Sequence, residues 1–510
     1  MQDIKELILL LHQHTHPVLQ QPPRDFNPQR ELAPLFEGIS RGRFTSDAEA
    51  AAQLFSGAAP DHPAYITLKK DLWTALLNWI TDFNTRLLDS NDLQYVYQEC
   101  NKQWLVVCCF SGENAHKLVL PLTLQLLEVA EKFEFTRLCV DMYALLCIQY
   151  CLGSHHDIVQ CNVAAQKHTY YQQLQEAEYA AEVQYIKLNT LAANAKIPRK
   201  KINLLARTAH AHLKGDMRKF KSYKLTLYGN LLGLLHHMSA GDSQKVVRLC
   251  SKTIRFFEQK PYNAGVPLQV FCYMQLVANI ELGRLAAGLK ALGSCLHYVE
   301  PGSFNWFKFQ ELAFTLMLHT RRYDRAAILL REVTRHPQLA ALPDYARQCW
   351  QLYRLYLQVL QRLGVQRTDA AFAGSIQEQA FQAGPGTPAG LHCANLILDW
   401  LTHFQRNDFV ALQQVSGQMT SVAANLQKYP VATRTYYFLK LLETVSGPSG
   451  GRPVPDAKAE KYLSKLMNIP VQVANQTVEM EIVRYEHLWS IIQKVLQNPG
   501  TVSQNKASGA

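Results

Sequence analysis

Cys147, Cys151 and His155 stand four residues apart, so on a helix all three would project from one face. Thiolate and imidazole are zinc-type ligands, and residues at i and i+4 can share one metal. A closed structural site needs a fourth ligand, which no neighbouring residue identifies. The competing reading is a cysteine stripe facing the core, with the histidine at the helix end. His12, His14 and His16 alternate near the start, and His155-His156, His210/His212 and His236-His237 follow, none with a complete metal signature. The phosphate-cradling Gly-x-x-x-x-Gly-Lys-Ser/Thr, the dinucleotide-type Gly-x-Gly-x-x-Gly and the zinc-protease His-Glu-x-x-His are missing. The expectation is a binding protein without metal or cofactor rather than an enzyme.

Charge offers a second chemistry. Residues 196–224 hold Lys196, Arg199, Lys200, Lys201, Arg207, Lys214, Arg218, Lys219, Lys221 and Lys224 against one acid, Asp216, which accounts for most of the chain's formal +11. Such density attracts phosphate-bearing or acidic partners and speeds their encounter. Phe220, Tyr223 and Tyr228 lie close by and could stack on bases. The plain alternative is a solvated helix face with its aromatics in the core. The candidate patch for nucleic acid or an acidic partner is Arg199, Lys200, Lys201, Arg207, Lys214, Arg218, Lys219, Lys221 and Lys224.

Arg41 to Leu77 forms a loose helix-turn-helix pattern. Thr45/Ser46 would cap a first helix, and Tyr65, Thr67, Lys69 and Lys70 would lie on the second. The intervening Ser56-Gly-Ala-Ala-Pro-Asp-His-Pro63 is longer than the ~3–4-residue turn of a DNA reader. Asp71-Leu-Trp73 and Leu76-Leu-Asn-Trp79 look like a packing face, which favours a structural three-helix cap.

These residues must be held by helices. In 510 residues, 48% are hydrophobic and 18% charged, too apolar for a disordered chain. Apolar residues recur at three- and four-residue spacing almost throughout, as in Leu118, Leu122, Leu126, Leu127, Ala130 and Phe133. Ser46-Asp-Ala-Glu49 is a capping box that opens a helix to about Phe55, and a long helix follows from about Ala64 to Leu88. The pattern predicts an all-α protein. Most of the twelve cysteines fall in apolar segments such as Leu105-Val-Val-Cys-Cys-Phe110, which predicts buried, reduced thiols. No apolar run reaches the ~18–20 residues that span a bilayer, so no membrane insertion is expected. The opening Met1-Gln-Asp-Ile-Lys-Glu has the wrong charge order for a secretory signal, which predicts a cytoplasmic protein.

Between residues 240 and 340 the helices pair. Ala240-Gly-Asp242, Gly283-Arg284 and Arg321-Arg322 break the helical pattern, and Pro261, Pro301 and Pro337 close successive units 40 and 36 residues apart. Tyr323, Ala326, Leu330 and Pro337, and less closely Gly283, Gly288 and Pro301, give this stretch a pattern that resembles the tetratricopeptide repeat (TPR). The spacing exceeds the ~34 residues of that repeat and its Trp-x-x-Leu-Gly signature is missing, so a TPR-like α-solenoid is the matching description. The resemblance implies stacked helix-turn-helix repeats whose surface binds a peptide or protein segment. It also points to a bacterial source. The expected layout is an N-terminal helical segment over 1–90 and a solenoid over 91–363. A hinge at 364–390, C-terminal helical repeats over 391–496 and a disordered tail at 497–510 complete it. The leading function is a non-catalytic interaction or scaffold protein; the alternative is a nucleic-acid-linked regulator that uses the basic patch or the N-terminal segment.

Overall fold

A computed structural model describes residues 1–13, 32–87, 93–113, 115–152, 157–193, 197–365, 388–426, 433–445, 458–473 and 479–497. Helix is the only extended regular element among them, so the protein is all-α. The chain forms two compact units, Met1–His168 and Thr169–Ala510.

The first unit opens with α1 (Gln2–Gln13), α2 (Leu32–Ser40), α3 (Asp47–Leu54) and α4 (Pro63–Leu87), packed around Ile8, Leu35, Phe36, Phe44, Tyr65 and Leu72. Ser46 caps α3 by accepting from Glu49 N at 3.2 Å, and Glu49 reaches back to Thr45 N at 2.7 Å. Asp47 ties this corner together. Its carboxylate accepts from Tyr65 Oη at 2.7 Å and from Lys69 Nζ at 3.0 Å. These bonds outweigh the opposing desolvation and hold its pKa down at about 2.

Gly38 is present because Phe44 needs its space. A Cβ on Gly38 would lie 2.0 Å from the Phe44 ring, which is itself only 4% exposed. Gly38→Ala is therefore expected to destabilise this corner by about 3 kcal/mol, read from the urea unfolding midpoint.

Three further helices, α5 (Leu93–Gly112), α6 (His116–Lys132) and α7 (Thr136–Leu152), pack in chain order, and α8 (Ile158–Ala193) runs across the unit boundary. The buried face of α6 is Val119, Thr123, Leu126, Leu127 and Ala130, while Leu118 is 51% exposed. The stripe read from the sequence is thus rotated by about a third of a turn at its start. Cys108 and Cys109 are exposed, and Cys147, Cys151 and Cys161 half-exposed, contrary to the expected burial of the thiols. On α5 the core takes Val96, Cys100 and Val107 instead.

In the second unit α9 (Arg199–Phe220), α10 (Tyr223–Ser239), α11 (Ser243–Glu258), α12 (Gly265–Glu281), α13 (Leu285–Leu296), α14 (Phe304–His319), α15 (Tyr323–Thr334) and α16 (Asp344–Arg362) each pack on the next. Contacts between alternate helices set up two layers. Tyr273 of α12 meets Phe309 of α14 at 5.6 Å, and Phe314 of α14 stacks on Tyr353 of α16 at 4.8 Å. Residues Phe309 to Leu316 of α14 are all buried. The helices between them keep one face in solvent. Gly288 lets α13 settle over this inner layer, since a Cβ there would come within 2.8 Å of Leu316 and 3.7 Å of Leu276.

The inner helices end alike. Gly241, Gly283, Arg321 and Gly364 follow α10, α12, α14 and α16 with φ of 71°, 66°, 61° and 76°. In each case the next N–H returns to the helix: Asp242 to His237 O, Arg284 to Asn279 O, Arg322 to Met317 O and Val365 to Leu360 O, at 2.8–3.1 Å. This satisfies carbonyls that the helix end leaves open. Asn407, with φ of 57°, ends α17 (Ala389–Arg406) in the same way. Successive turns fall 42, 38, 43 and 43 residues apart. Arg321 alone among the first four carries a side chain in this left-handed conformation. Arg321→Gly should raise stability by about 1 kcal/mol, measurable as a higher denaturant midpoint at unchanged m-value.

After α17 come α18 (Phe409–Leu426), α19 (Thr433–Glu443), α20 (Lys458–Met467) and α21 (Tyr485–Gln497). One core runs from Cys272 to Ile492, spanning the 364–390 stretch read as a hinge, of which 366–387 lie outside the described residues. The buried non-helical residues 479–483 return to the earlier helices. His319 Nε2 donates to Glu481 O at 2.8 Å, Tyr323 Oη meets His487 Nδ1 at 2.9 Å, and Arg484 reaches Ile280 O at 3.4 Å. Arg434, 1% exposed, fastens this segment. Its guanidinium pairs with Glu481 at 2.8 and 2.9 Å and with Glu486 at 2.7 Å, and Nη1 donates to the carbonyls of Leu466 and Ile469. With its donors used in this way, Arg434 is a structural lock.

Candidate functional site

A helix turns 100° per residue, so Lys200, Arg207, Lys214 and Arg218 fall within about 40° of one another along α9 and span about 27 Å. All four are exposed, as are Lys201 and the C-capping Lys221. The opposite face of α9 carries Ile202, Ala206, Leu213 and Phe220, which are buried. Amphipathicity therefore decides which charges face water.

Three residues of the predicted patch are engaged inside the unit. Arg199 is half-buried, and burial lowers its pKa more than the fields of Glu479 and Glu281 raise it. Lys219 donates to Gln173 at 2.8 Å and lies over the Phe220 ring at 4.5 Å. Lys224 pairs with Glu182 at 3.6 Å. The neighbouring aromatics are also committed. Phe220 is buried, Tyr223 packs on Phe257 at 5.2 Å, and Tyr228 Oη donates to Glu182 at 2.9 Å. None of the three is presented as a base-stacking platform.

A second row comes from α11. Lys245, Arg248, Lys252 and Arg255 recur at spacings of three, four and three, are all exposed, and lie opposite buried Val246, Cys250, Thr253 and Phe257. This row is not legible as a local excess of charge, since its four cations are spread over eleven residues and align only along the helical period. Lys245 pairs with Asp242 at 2.7 Å.

The two rows belong to helices that flank α10. Gly233 on α10 faces His210 of α9 and Leu249 of α11, to which an added Cβ would come within 3.0 and 3.1 Å. At the end of α10, Asn203 Nδ2 donates to His236 O at 2.9 Å and His210 bonds Gly229 O at 2.8 Å. Burial, and then Arg207, lower the His236 pKa; burial, His236 and Lys245 bring that of His237 down to about 4. Burial thus disfavours the charged form of both rings, and the two rows themselves are Lys and Arg. Leu204, 61% exposed, and Leu205, 37% exposed, add apolar surface among the α9 cations.

Packing claims part of the helix-turn-helix pattern, while Thr67 and Lys70 stay exposed. Tyr65 is 1% exposed and bonds Asp47, and Lys69 is paired with Asp47, so two of the four supposed readers are spent on holding α3 to α4. The Cys147, Cys151, His155 group is not brought together among the described residues, because His155 lies outside them and Cys161 approaches instead. No group of three or more His, Cys, Asp or Glu among those residues is placed to hold a metal ion. His14 and His16 also lie outside them. A cleft lined by Thr315, Tyr353, Gln472 and Glu479 has room for about one water molecule. No described helix is long and apolar enough to cross a membrane.

No family model, curated protein or solved structure matches the chain significantly. The basic face must therefore be read from its own chemistry. From residue 197 to 335 the sequence has 22 Lys and Arg against 8 Asp and Glu. The outer helices carry much of that excess.

Proposed function

We propose that this chain is a non-catalytic interaction protein of the TPR-like α-solenoid type, which docks an acidic segment of a partner protein on the outer face of α9 and α11. The observation that carries the reading is the pair of exposed cationic rows, Lys200, Arg207, Lys214, Arg218 and Lys245, Arg248, Lys252, Arg255, on two helices that flank one glycine. The recurring turns at 241, 283, 321 and 364 support the solenoid description. An acidic helix or strand with an occasional apolar side chain complements both the cations and Leu204.

Nucleic acid is the second reading, favoured by the length of the α9 row. Against it stands the engagement of all three aromatics within the unit: Phe220 is buried, Tyr223 packs on Phe257 and Tyr228 donates to Glu182, which disfavours the stacking that single strands use. Fluorescence anisotropy separates the two. A labelled Glu-rich peptide with Leu at every fourth position should bind the full chain and weaken as salt rises from about 50 to about 300 mM. Tighter binding of a duplex DNA probe, with the peptide inert, would transfer the face to nucleic acid. Lys219→Ala/Lys224→Ala should bind the peptide like the parent, because both lysines already have internal partners.

A further inference from the structure

Three cysteines converge where α7 ends and α8 begins. Cys151 lies in the last turn of α7, Cys161 in the first turn of α8, and their sulfurs are 2.7 Å apart. Cys147, one turn before Cys151, has its Sγ 3.8 Å from Cys161 O, while Cys161 Sγ lies 3.5 Å from Cys147 O. The two helix ends are held in this register. Asp157 Oδ1 accepts from Val159 N and Gln160 N, both at 3.0 Å, which fixes the first turn of α8 and so the place of Cys161.

Core packing does not explain the pair. Cys100, Cys139, Cys250, Cys272, Cys295, Cys349 and Cys393 are buried as small hydrophobes, whereas Cys147, Cys151 and Cys161 are half-exposed. A bonded disulfide has its sulfurs ~2.05 Å apart, so only a small side-chain adjustment separates the pair from a bond. Both side chains are partly exposed to solvent.

We propose that Cys151 and Cys161 are a reversible oxidation site that takes a peroxide-class oxidant. One thiol, as its thiolate, attacks a peroxide oxygen and becomes a sulfenic acid, the O–O bond breaks, and the departing hydroxide is protonated to water. The second sulfur then attacks the first, the S–S bond forms, and the sulfenic oxygen leaves as a second water. Two thiols lose two protons and two electrons to one peroxide. A small thiol reductant returns the pair by exchange.

The full chain is treated with hydrogen peroxide under native conditions, blocked with a maleimide, digested and mapped by mass spectrometry. The expected product is a peptide pair joined through Cys151 and Cys161. It should be absent after dithiothreitol and absent from Cys151→Ser, with labelling of Cys108 as the internal standard of access. Free labelling of Cys151 and Cys161 after peroxide, at the rate of Cys108, would overturn the proposal. So would a bond mapped to Cys147 and Cys161. The parent chain alone decides the result, so a poorly folding variant does not blunt the test.

Discussion

Arg434→Met is expected to cost about 3–5 kcal/mol of folding stability. The substitution leaves Glu481, 6% exposed, without the cation that neutralises it, and strips the carbonyls of Leu466 and Ile469 of a donor. It also releases residues 479–483 from α19, and with them the bonds to His319 and Ile280. Thermal unfolding of the full chain should show an early transition in the second unit. An Arg434→Met/Glu481→Gln double variant should recover part of the loss, since it no longer buries an unpaired charge.

The same segment sets a pH dependence. Burial is the main force that raises Glu479 from 4.5 to about 7, against the bonds from Thr435 N at 2.6 Å and Thr435 Oγ1 at 3.0 Å. In the folded chain this carboxyl keeps its proton to higher pH than in the unfolded chain. Its contribution is fully present below about 4.5 and is lost as pH rises towards 7, by about 3 kcal/mol in all. His237 and His487, both brought down to about 4, act in the opposite sense, since their neutral forms are favoured by folding and stability falls as pH drops below 6.5. A comparison of Glu479→Gln with the parent cancels the histidines. The variant should gain on the parent between pH 4.5 and 7; a difference independent of pH would show that Glu479 is ionised throughout.

The second large effect is on binding. Lys200→Glu/Arg207→Glu/Lys214→Glu/Arg218→Glu should weaken an acidic peptide by about two to three orders of magnitude at low salt, mostly through slower association. These side chains point into solvent opposite Ile202, Ala206 and Leu213, so stability should change little. The equivalent change at Arg248, Lys252 and Arg255 should produce a comparable loss. If one partner spans both rows, the combined variants should be less than additive, because the first loss already removes the shared segment.

Much of the helical plan was legible. Ser46 to Glu49 announced the start of α3, and the breaks at Gly241, Gly283 and Arg321 announced three helix ends, because those signals lie within a few residues of the feature they mark. What was hidden is long-range. Glu481 is 47 residues from Arg434, and His487 is 164 from Tyr323, so neither pairing leaves a local trace. The basic face was half visible. The α9 charges are dense enough to show in a simple count, but the α11 row appears only when Lys245, Arg248, Lys252 and Arg255 are placed on a helical wheel. Local composition left Phe220 and Tyr228 open between stacking and core, because their partners Tyr170 and Glu182 come from α8.

Zero-length carbodiimide cross-linking of the full chain to the Glu-rich peptide, with the links located by mass spectrometry, tests the docking face most directly. A carboxylate seated on the two rows should link to Lys200, Lys214, Lys245 and Lys252, and the links should fade as salt rises. Links spread equally over Lys117, Lys187 and Lys461, or none at low salt, would contradict the assignment of α9 and α11 as the binding surface.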